Sequence, residues 1–489
     1  MTEREKIAHL LRRFGLGASE AEMDFYVPLG WKGTIDHMLA PEKVTERFDA
    51  KTSEFENGRG VVNIRVAQGI WHLRLIMTNR PLVEKMTIFW HNHFAVASSK
   101  VDSSYAMLNY IDVMRKDCLG GFRSLLEDVS KTPAMLFWLD NNLNLKGKPN
   151  ENFAREVMEL FTLGVGHYTE KDVLEAARAF TGWRYGVNER RSGSDKTPRR
   201  VERFVFDASK HDSGEKTILG RTGNLSGEDV LDILCEEKQT ARYITTKMWK
   251  FFANTNPDPS VIERLSKKFI DSLLNIRVLV RAIMESEEFY SEKVVRKQIK
   301  NPVDFVVAPA RALGVGSLAG ALIESGRKSP DIDANQGVNR TMVRALGPSF
   351  AMLQSATAMG MELLNPPDVN GWGFGNQWVS SATMVARMKY GDMLFAGGQG
   401  AVKRNLGADL GGNRGPSLSV PVGQVASQGM TGADLADRLI SLFDVPATDE
   451  IRTKLRNSGK EILADTKDIN ATARGLSRLI CGLPEFQVN

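Results

Sequence analysis

Cysteine is nearly missing from this chain: Cys118, Cys235 and Cys481 are the only three in 489 residues, far apart and in no Cys-x-x-Cys spacing. That excludes a disulfide framework and a thiolate metal cage, and it fits a reducing compartment. Long apolar runs are also lacking. No stretch approaches the roughly 18 uninterrupted apolar residues of a membrane span. The N-terminus leads into His9-Leu10-Leu11-Arg12-Arg13-Phe14 without the apolar core of roughly 7 to 15 residues that defines a secretory signal. The expectation is a cytoplasmic protein with no membrane span. Charge of one sign is scarce too: 64 Lys and Arg against 59 Asp and Glu leave +5, far short of the concentrated charge of a nucleic-acid binder, so nucleic acid is not an expected partner. What is present, 42% hydrophobic and 25% charged residues, is the composition of a folded globular chain. At about 150 residues per domain the length allows roughly three domains, or one large domain with additions.

Apolar residues recur at three and four spacing through most of the sequence, as in Leu82, Val83, Met86, Phe89 and Trp90, which predicts helices. Similar spacing covers 105–127, 152–163, 170–182, 227–253, 260–288, 301–313, 340–362 and 378–394. The best strand candidates, 203–207 and 217–219, flank a loop. The fold class expected is mostly α, a large multi-helix globular body with at most a small β-hairpin. Residues 1–396 read as this main helical body, 397–432 as a Gly-rich loop or linker, and 433–489 as a C-terminal helical segment packed on the body. The stretch 186–203, with Arg190, Arg191, Lys196, Arg199 and Arg200, reads as a basic loop, either solvated or anion-binding. No internal repeat is visible.

Four polar clusters could carry chemistry. Trp90-His91-Asn92-His93-Phe94 ends a helical run and holds two of seven histidines. In a helix two such imidazoles diverge by about 200°, so joint metal ligation needs the helix to stop near His91. Otherwise one ring packs on Phe94 and the other hydrogen-bonds a carbonyl. In Asn150 to Phe161 the helical phase puts Glu156 on the apolar face with Phe153, Val157 and Phe161, and Glu159 one turn on. A buried carboxylate must meet a cation, a metal or donors, or stay protonated with a raised pKa. A salt bridge to Arg155 or Arg178 is the structural alternative. The pair could hold one ion or divide acid and base roles. The Asn-rich stretch 140–150 caps turns or binds hydroxyl-rich substrates. Thr169 reads as a helix N-cap, and His167 could reach back toward Glu156. His211, beside Asp212, offers a third imidazole or a general acid. In the loop 365–373, Asp368, Asn370 and Trp372, followed by Trp378, suggest a sugar or peptide platform or a loop stapled to the core.

At these clusters the sequence resembles the bacterial family catalogued as domain of unknown function 1800. The resemblance is carried in order by 9–15 (His-Leu-Leu-Arg-Arg-Phe-Gly), 89–94, 150–164, 177–183, 211–214, 366–372 (Pro-Pro-Asp-Val-Asn-Gly-Trp) and 484–487. It covers nearly the whole chain. It implies no particular activity and no catalytic residues. For many members it implies export and a gene neighbour similar to the sulfatase and alkaline phosphatase superfamily, which the lack of a signal-peptide pattern here does not match.

From the residues, the expected protein is an enzyme, metal-dependent and hydrolytic before oxidative, acting on a polar or polymeric substrate such as a glycan or peptide. His91, His93 and Glu156 are the candidate ligands of one divalent transition metal, zinc, manganese or iron. Glu156, Glu159 and His211 are the candidate catalytic groups. Asn142, Asn150, Asn152, Asp368 and Trp372 are the candidate substrate contacts. Two other readings stand beside it: metal-free acid–base catalysis by Glu156 with a histidine, and a non-catalytic module in which a structural His/Glu network supports glycan or partner-protein binding.

Overall fold

Helix starts are written into this sequence as caps. Thr2, Ser19, Thr169, Ser226 and Thr431 each accept a hydrogen bond from the backbone three residues on, and the acidic side chain there reciprocates. Two orphan donors are thereby satisfied at each start. Pro133, Pro259 and Pro302 open helices where no N–H is needed. The structure, a computed structural model, describes residues 1–58, 60–191, 198–395, 418 and 420–489.

The class is mostly α with two small antiparallel strand pairs. Four predicted long helices are each present as two: Ser104–Asp117 and Phe122–Ser130, Gly227–Glu236 and Lys238–Phe252, Arg340–Ala345 and Gly347–Ala358, and Pro259–Asp271 and Ile276–Met284. The apolar spacing runs on through the breaks, which hides them. The last turns on Leu273 and Leu274, both at φ +57°, a costly conformation for leucine, with Leu273 89% exposed.

β1 (Trp183–Arg191) pairs with β2 (Pro198–Phe206), placing Trp183 opposite Phe206 and Arg190 opposite Arg199. β3 (Lys216–Ile218) pairs with β4 (Arg221–Gly223). Thus 203–207 and 217–219 do not pair with each other, as the sequence suggested; each finds a nearer partner. Much of the stretch 186–203 is strand and not loop, which its Gly, Asn, Glu and Pro content conceals. Residues 192–197 lie outside the described residues.

The chain divides into two units, and neither is continuous in sequence. The first takes Met1–Leu82, Tyr290–Leu363 and Gly373–Asn489; the second takes Val83–Phe289 and Leu364–Trp372. In the first, the helix Ile64–Met77 packs with Pro302–Ala312, Val315–Lys328 and Gly347–Ala358. Its last helices, Gly432–Leu442, Asp449–Thr466 and Ile469–Gly482, pack on one another, and the last of them packs on Ser381–Leu394. Glycine permits one of these crossings: a Cβ on Gly432 would lie 2.0 Å from the Gly459 carbonyl oxygen, and one on Gly459 would lie 2.1 Å from that of Gly432. Of the stretch read as a linker, 396–417 and 419 lie outside the described residues.

The second unit is built around the helix Pro81–His93, whose Phe89 and Trp90, with Phe94 just after its end, are buried with Phe122, Phe161 and Phe252. Trp90 Nε1 donates to the Cys118 carbonyl at 3.0 Å. Among the described residues no single helix is long and apolar enough to cross a membrane; the pair Pro302–Ala312 and Val315–Lys328 passes that test only together, bent by 75°.

Candidate functional site

The helix Pro81–His93 runs through both histidines, so His91, Asn92 and His93 point in three directions. Each side chain engages a different stretch of backbone. His91 Nε2 accepts from the Leu364 N–H at 3.1 Å, and its ring lies 5.1 Å from that of Trp372. Asn92 Oδ1 accepts from the Trp372 N–H at 2.5 Å. The chain reaches it through Gly371 at φ +78°, where a Cβ would stand 2.3 Å from Asn92 oxygens, so only glycine fits. His93 Nε2 donates to the Phe161 carbonyl at 3.1 Å and leaves Nδ1 buried with no hydrogen-bond partner among the described residues. Burial pushes the His91 imidazole down to about 3 and His93 well below its ordinary value, the nearby Lys247 charge adding to the effect on His93. Both rings are neutral at neutral pH.

The Phe161 carbonyl belongs to an unusual turn. The helix Glu151–Glu156 widens over Val157–Thr162 into a π-helix, in which Leu163 N–H reaches back five residues to the Met158 carbonyl at 2.8 Å. Carbonyls left over at its end find side-chain donors: His93 on Phe161, Tyr243 on Leu160 at 3.1 Å, and Gln239 on Leu163 at 2.8 Å. Such widened turns recur at functional sites.

Glu156 immediately precedes this turn and Glu159 lies within it. Glu159 Oε2 accepts a hydrogen bond from the Tyr168 hydroxyl. Glu156 is half-buried and makes neither a hydrogen bond nor an ion pair among the described residues. Neither arginine proposed for it is its partner: Arg155 pairs with Glu151 and Glu170, and Arg178 with Glu175 and Asp212. Burial, with the Glu159 charge adding and Arg155 opposing, raises the Glu156 carboxyl above its ordinary value. Burial and the same two carboxylates push the Tyr243 phenol up to about 12. The Lys247 ammonium sits 5.3 Å from the Tyr243 ring centroid, without an ion-pair partner among the described residues, and is brought down to about 8 by burial and by Lys250. Tyr243 and Lys247 carry no sequence signature beyond helical spacing, and the widened turn itself leaves none. Tyr168 stood in a stretch legible only as a turn and cap.

The other candidates lie elsewhere or serve the backbone. His211 is half-buried, with Nδ1 donating to the Thr181 carbonyl at 2.8 Å and its ring 5.4 Å from Phe206; no hydrogen bond or ion pair links it to either glutamate. His167 is exposed. Asn142 Oδ1 accepts from the Tyr185 N–H, Asn150 Oδ1 caps the Asn152 N–H, and Asn152 Nδ2 donates to the Leu139 carbonyl. Asp368 is exposed and closes a turn onto the Asn370 N–H at 2.7 Å. Trp372 is 4% exposed, stapled against His91. His91 therefore serves the 364–372 segment while His93 serves the widened turn. Among the described residues no three His, Cys, Asp or Glu side chains gather closely enough to hold a metal ion.

Compared with known proteins, residues 9–488 match the model of a family described as protein of unknown function, DUF1800. No curated protein and no solved structure matches.

Proposed function

This chain belongs to the DUF1800 family, and we propose that it is a hydrolytic enzyme whose reacting groups are Glu156 and Glu159, acting on a polar substrate of the glycan or peptide class. One observation carries the reading. A half-buried carboxylate with no hydrogen bond and no ion pair, beside a second carboxylate, is costly to the fold, and among the described residues Glu156 is such a group. Two carboxylates in different surroundings divide acid and base work. Glu156, whose surroundings favour its protonated form, gives its proton to the leaving group. Glu159, oriented by the Tyr168 hydroxyl, takes the proton of the attacking water. Tyr243 is tied to the Leu160 carbonyl and keeps the widened turn in shape.

The test is a panel of glycan and peptide substrates with wild type, Glu156→Gln and Glu159→Gln, with and without chelator and with added Zn²⁺, Mn²⁺ or Fe²⁺. General acid–base roles predict losses of about 10²- to 10⁴-fold in both variants. Hydrolysis that survives Glu156→Gln sinks the assignment. Activity that a chelator abolishes and a metal restores turns it into the metal-assisted form, with the two carboxylates as ligands.

A further inference from the structure

The ribbon of β1 and β2 belongs to the second unit, and its register sorts its charges by face. Alternate residues of a strand lie on opposite faces, and directly paired residues share one. One face is laid on the body. Trp183 is buried, and Lys131 Nζ stands 5.0 Å from its ring centroid and 5.2 Å from that of Phe204. Tyr185 meets the Phe137 ring at 6.1 Å, and Glu202 Oε2 accepts from the Ser103 hydroxyl at 2.8 Å. Register places Glu189 on that face as well. The other face takes Arg184, Arg203, Arg190 and Arg199, and no acidic residue. Arg203 is exposed and Arg184 half-buried. Arg190 stands directly opposite Arg199, and like charges so placed are destabilising. At the base of the ribbon the Lys146 N–H donates to the Lys210 carbonyl at 2.9 Å. That bond gathers Lys146, Lys148 and Lys210, all exposed and without an ion pair among the described residues. Of the acids at this end, Asp140 pairs with Lys100. Asp207 Oδ1 accepts from the Ser209 N–H and hydroxyl; the hydroxyl, with the Arg184 and Lys210 charges adding, holds the Asp207 carboxyl below its ordinary value.

A row of cations on one face, with the ribbon's acids on the other, fits a partner that carries negative charge at intervals along its length. The face also discriminates among such partners. Single-stranded nucleic acid needs aromatic rings on which bases stack, and Trp183, Tyr185, Phe204 and Phe206 all fall by register on the face laid against the body. An anionic membrane needs bulky apolar groups beside the cations, and this face offers only Val201 and Val205. Duplex DNA carries about one charge per 1.7 Å of its axis. The row from Arg184 to Arg190 is about 20 Å long at the rise of a strand, so its four arginines match a polymer charged far less densely. Guanidinium forks suit the paired oxygens of carboxylate and sulfate groups. We propose that this face of the ribbon, with the lysines at its base, binds a linear acidic polysaccharide. The choice of a sugar polymer rests on the hydrolytic reading above, whereas the demand for negative charge rests on the ribbon alone.

The experiment is calorimetric titration of the full chain with polygalacturonate, which carries carboxylates, and dextran sulfate, which carries sulfate esters, beside neutral dextran, duplex DNA and anionic phospholipid vesicles. Expected is saturable binding of an acidic polysaccharide that weakens as salt rises, with none of neutral dextran. Arg184→Gln with Arg203→Gln should lose at least tenfold in affinity. Should that variant fail to fold, Lys146→Gln with Lys148→Gln and Lys210→Gln, all at exposed positions, carries the same expectation. Lys32→Gln with Lys328→Gln and Lys460→Gln removes as much charge from exposed positions of the first unit and should bind as wild type does. Wild-type protein that binds neither acidic polysaccharide saturably overturns the proposal. So does duplex DNA or a vesicle bound as tightly, affinity unchanged in the ribbon and base variants, or an equal loss in the first-unit variant. Glu156→Gln separates the two readings, since it should bind as wild type does. Binding without hydrolysis of any substrate leaves the surface and removes the reaction; hydrolysis of neutral substrates without binding removes the surface and leaves the reaction.

Discussion

The end of the helix Pro81–His93 and the widened turn Val157–Thr162 meet at one hydrogen bond, from His93 to the Phe161 carbonyl, yet they treat their polar groups in opposite ways. At the helix end, three successive side chains each hold a backbone group: Leu364, Trp372 and Phe161. At the turn, Glu156 is left with none. A buried side chain that holds a backbone group is scaffold, because moving it breaks a bond, even at His93, where only Nε2 is so used; one that holds nothing is costly to the fold and is a candidate for chemistry. The motif with the more suggestive letters, His-Asn-His, is on this measure the architectural one.

That contrast can be broken at either end. The largest expected effect is Glu156→Gln, which removes about 10²- to 10⁴-fold of the hydrolysis while Tm stays level or rises, since it relieves a desolvated carboxylate; a fall in Tm with activity intact would reverse the two roles. Next, His91→Ala and Asn92→Ala each leave a buried N–H without an acceptor and open a cavity. Each should cost about 2–4 kcal/mol in urea unfolding, with activity per folded molecule unchanged.

Acid sharpens the comparison. His91, and His72 buried in the helix Ile64–Met77 of the first unit, brought by burial to about 3 and about 4 from an ordinary 6.5, stay neutral in the fold where the unfolded chain is protonated. From about pH 6.5 down to those values the unfolded state holds the extra proton, so stability falls as pH falls, by about 1.4 kcal/mol per pH unit for each ring. Glu156 acts with the opposite sign: its raised carboxyl holds a proton in the fold above the pH where the unfolded chain loses it, and stability falls as pH rises through that window. Urea midpoints from pH 7 to 4 should show the histidine slope, reduced in His91→Gln. The smallest effect is Tyr168→Phe, which removes the donor to Glu159 and should cost activity about tenfold, the worth of one hydrogen bond to a charged group, with stability nearly unchanged.

The caps and the helical class were readable because each rests on neighbours three and four residues apart, and Thr169 was found as a cap for that reason. Helical phase also located Glu156 on a face that turns toward the interior. Partners distant in sequence were not readable. Nothing near His91 announces Leu364, and nothing near Glu159 announces Tyr243. The widened turn was hidden because a single added residue per turn barely disturbs apolar spacing, and the helix breaks at 120–121 and 273–274 escaped for the same reason.

The second unit contains Val83–Phe289 and, far downstream, Leu364–Trp372. During synthesis at about 5–20 residues per second, His91 and Asn92 are therefore made roughly 14 to 54 seconds before the backbone they will hold exists. A fragment ending at 289 leaves both side chains without those N–H groups, and supplying 360–375 as a separate peptide should raise its Tm.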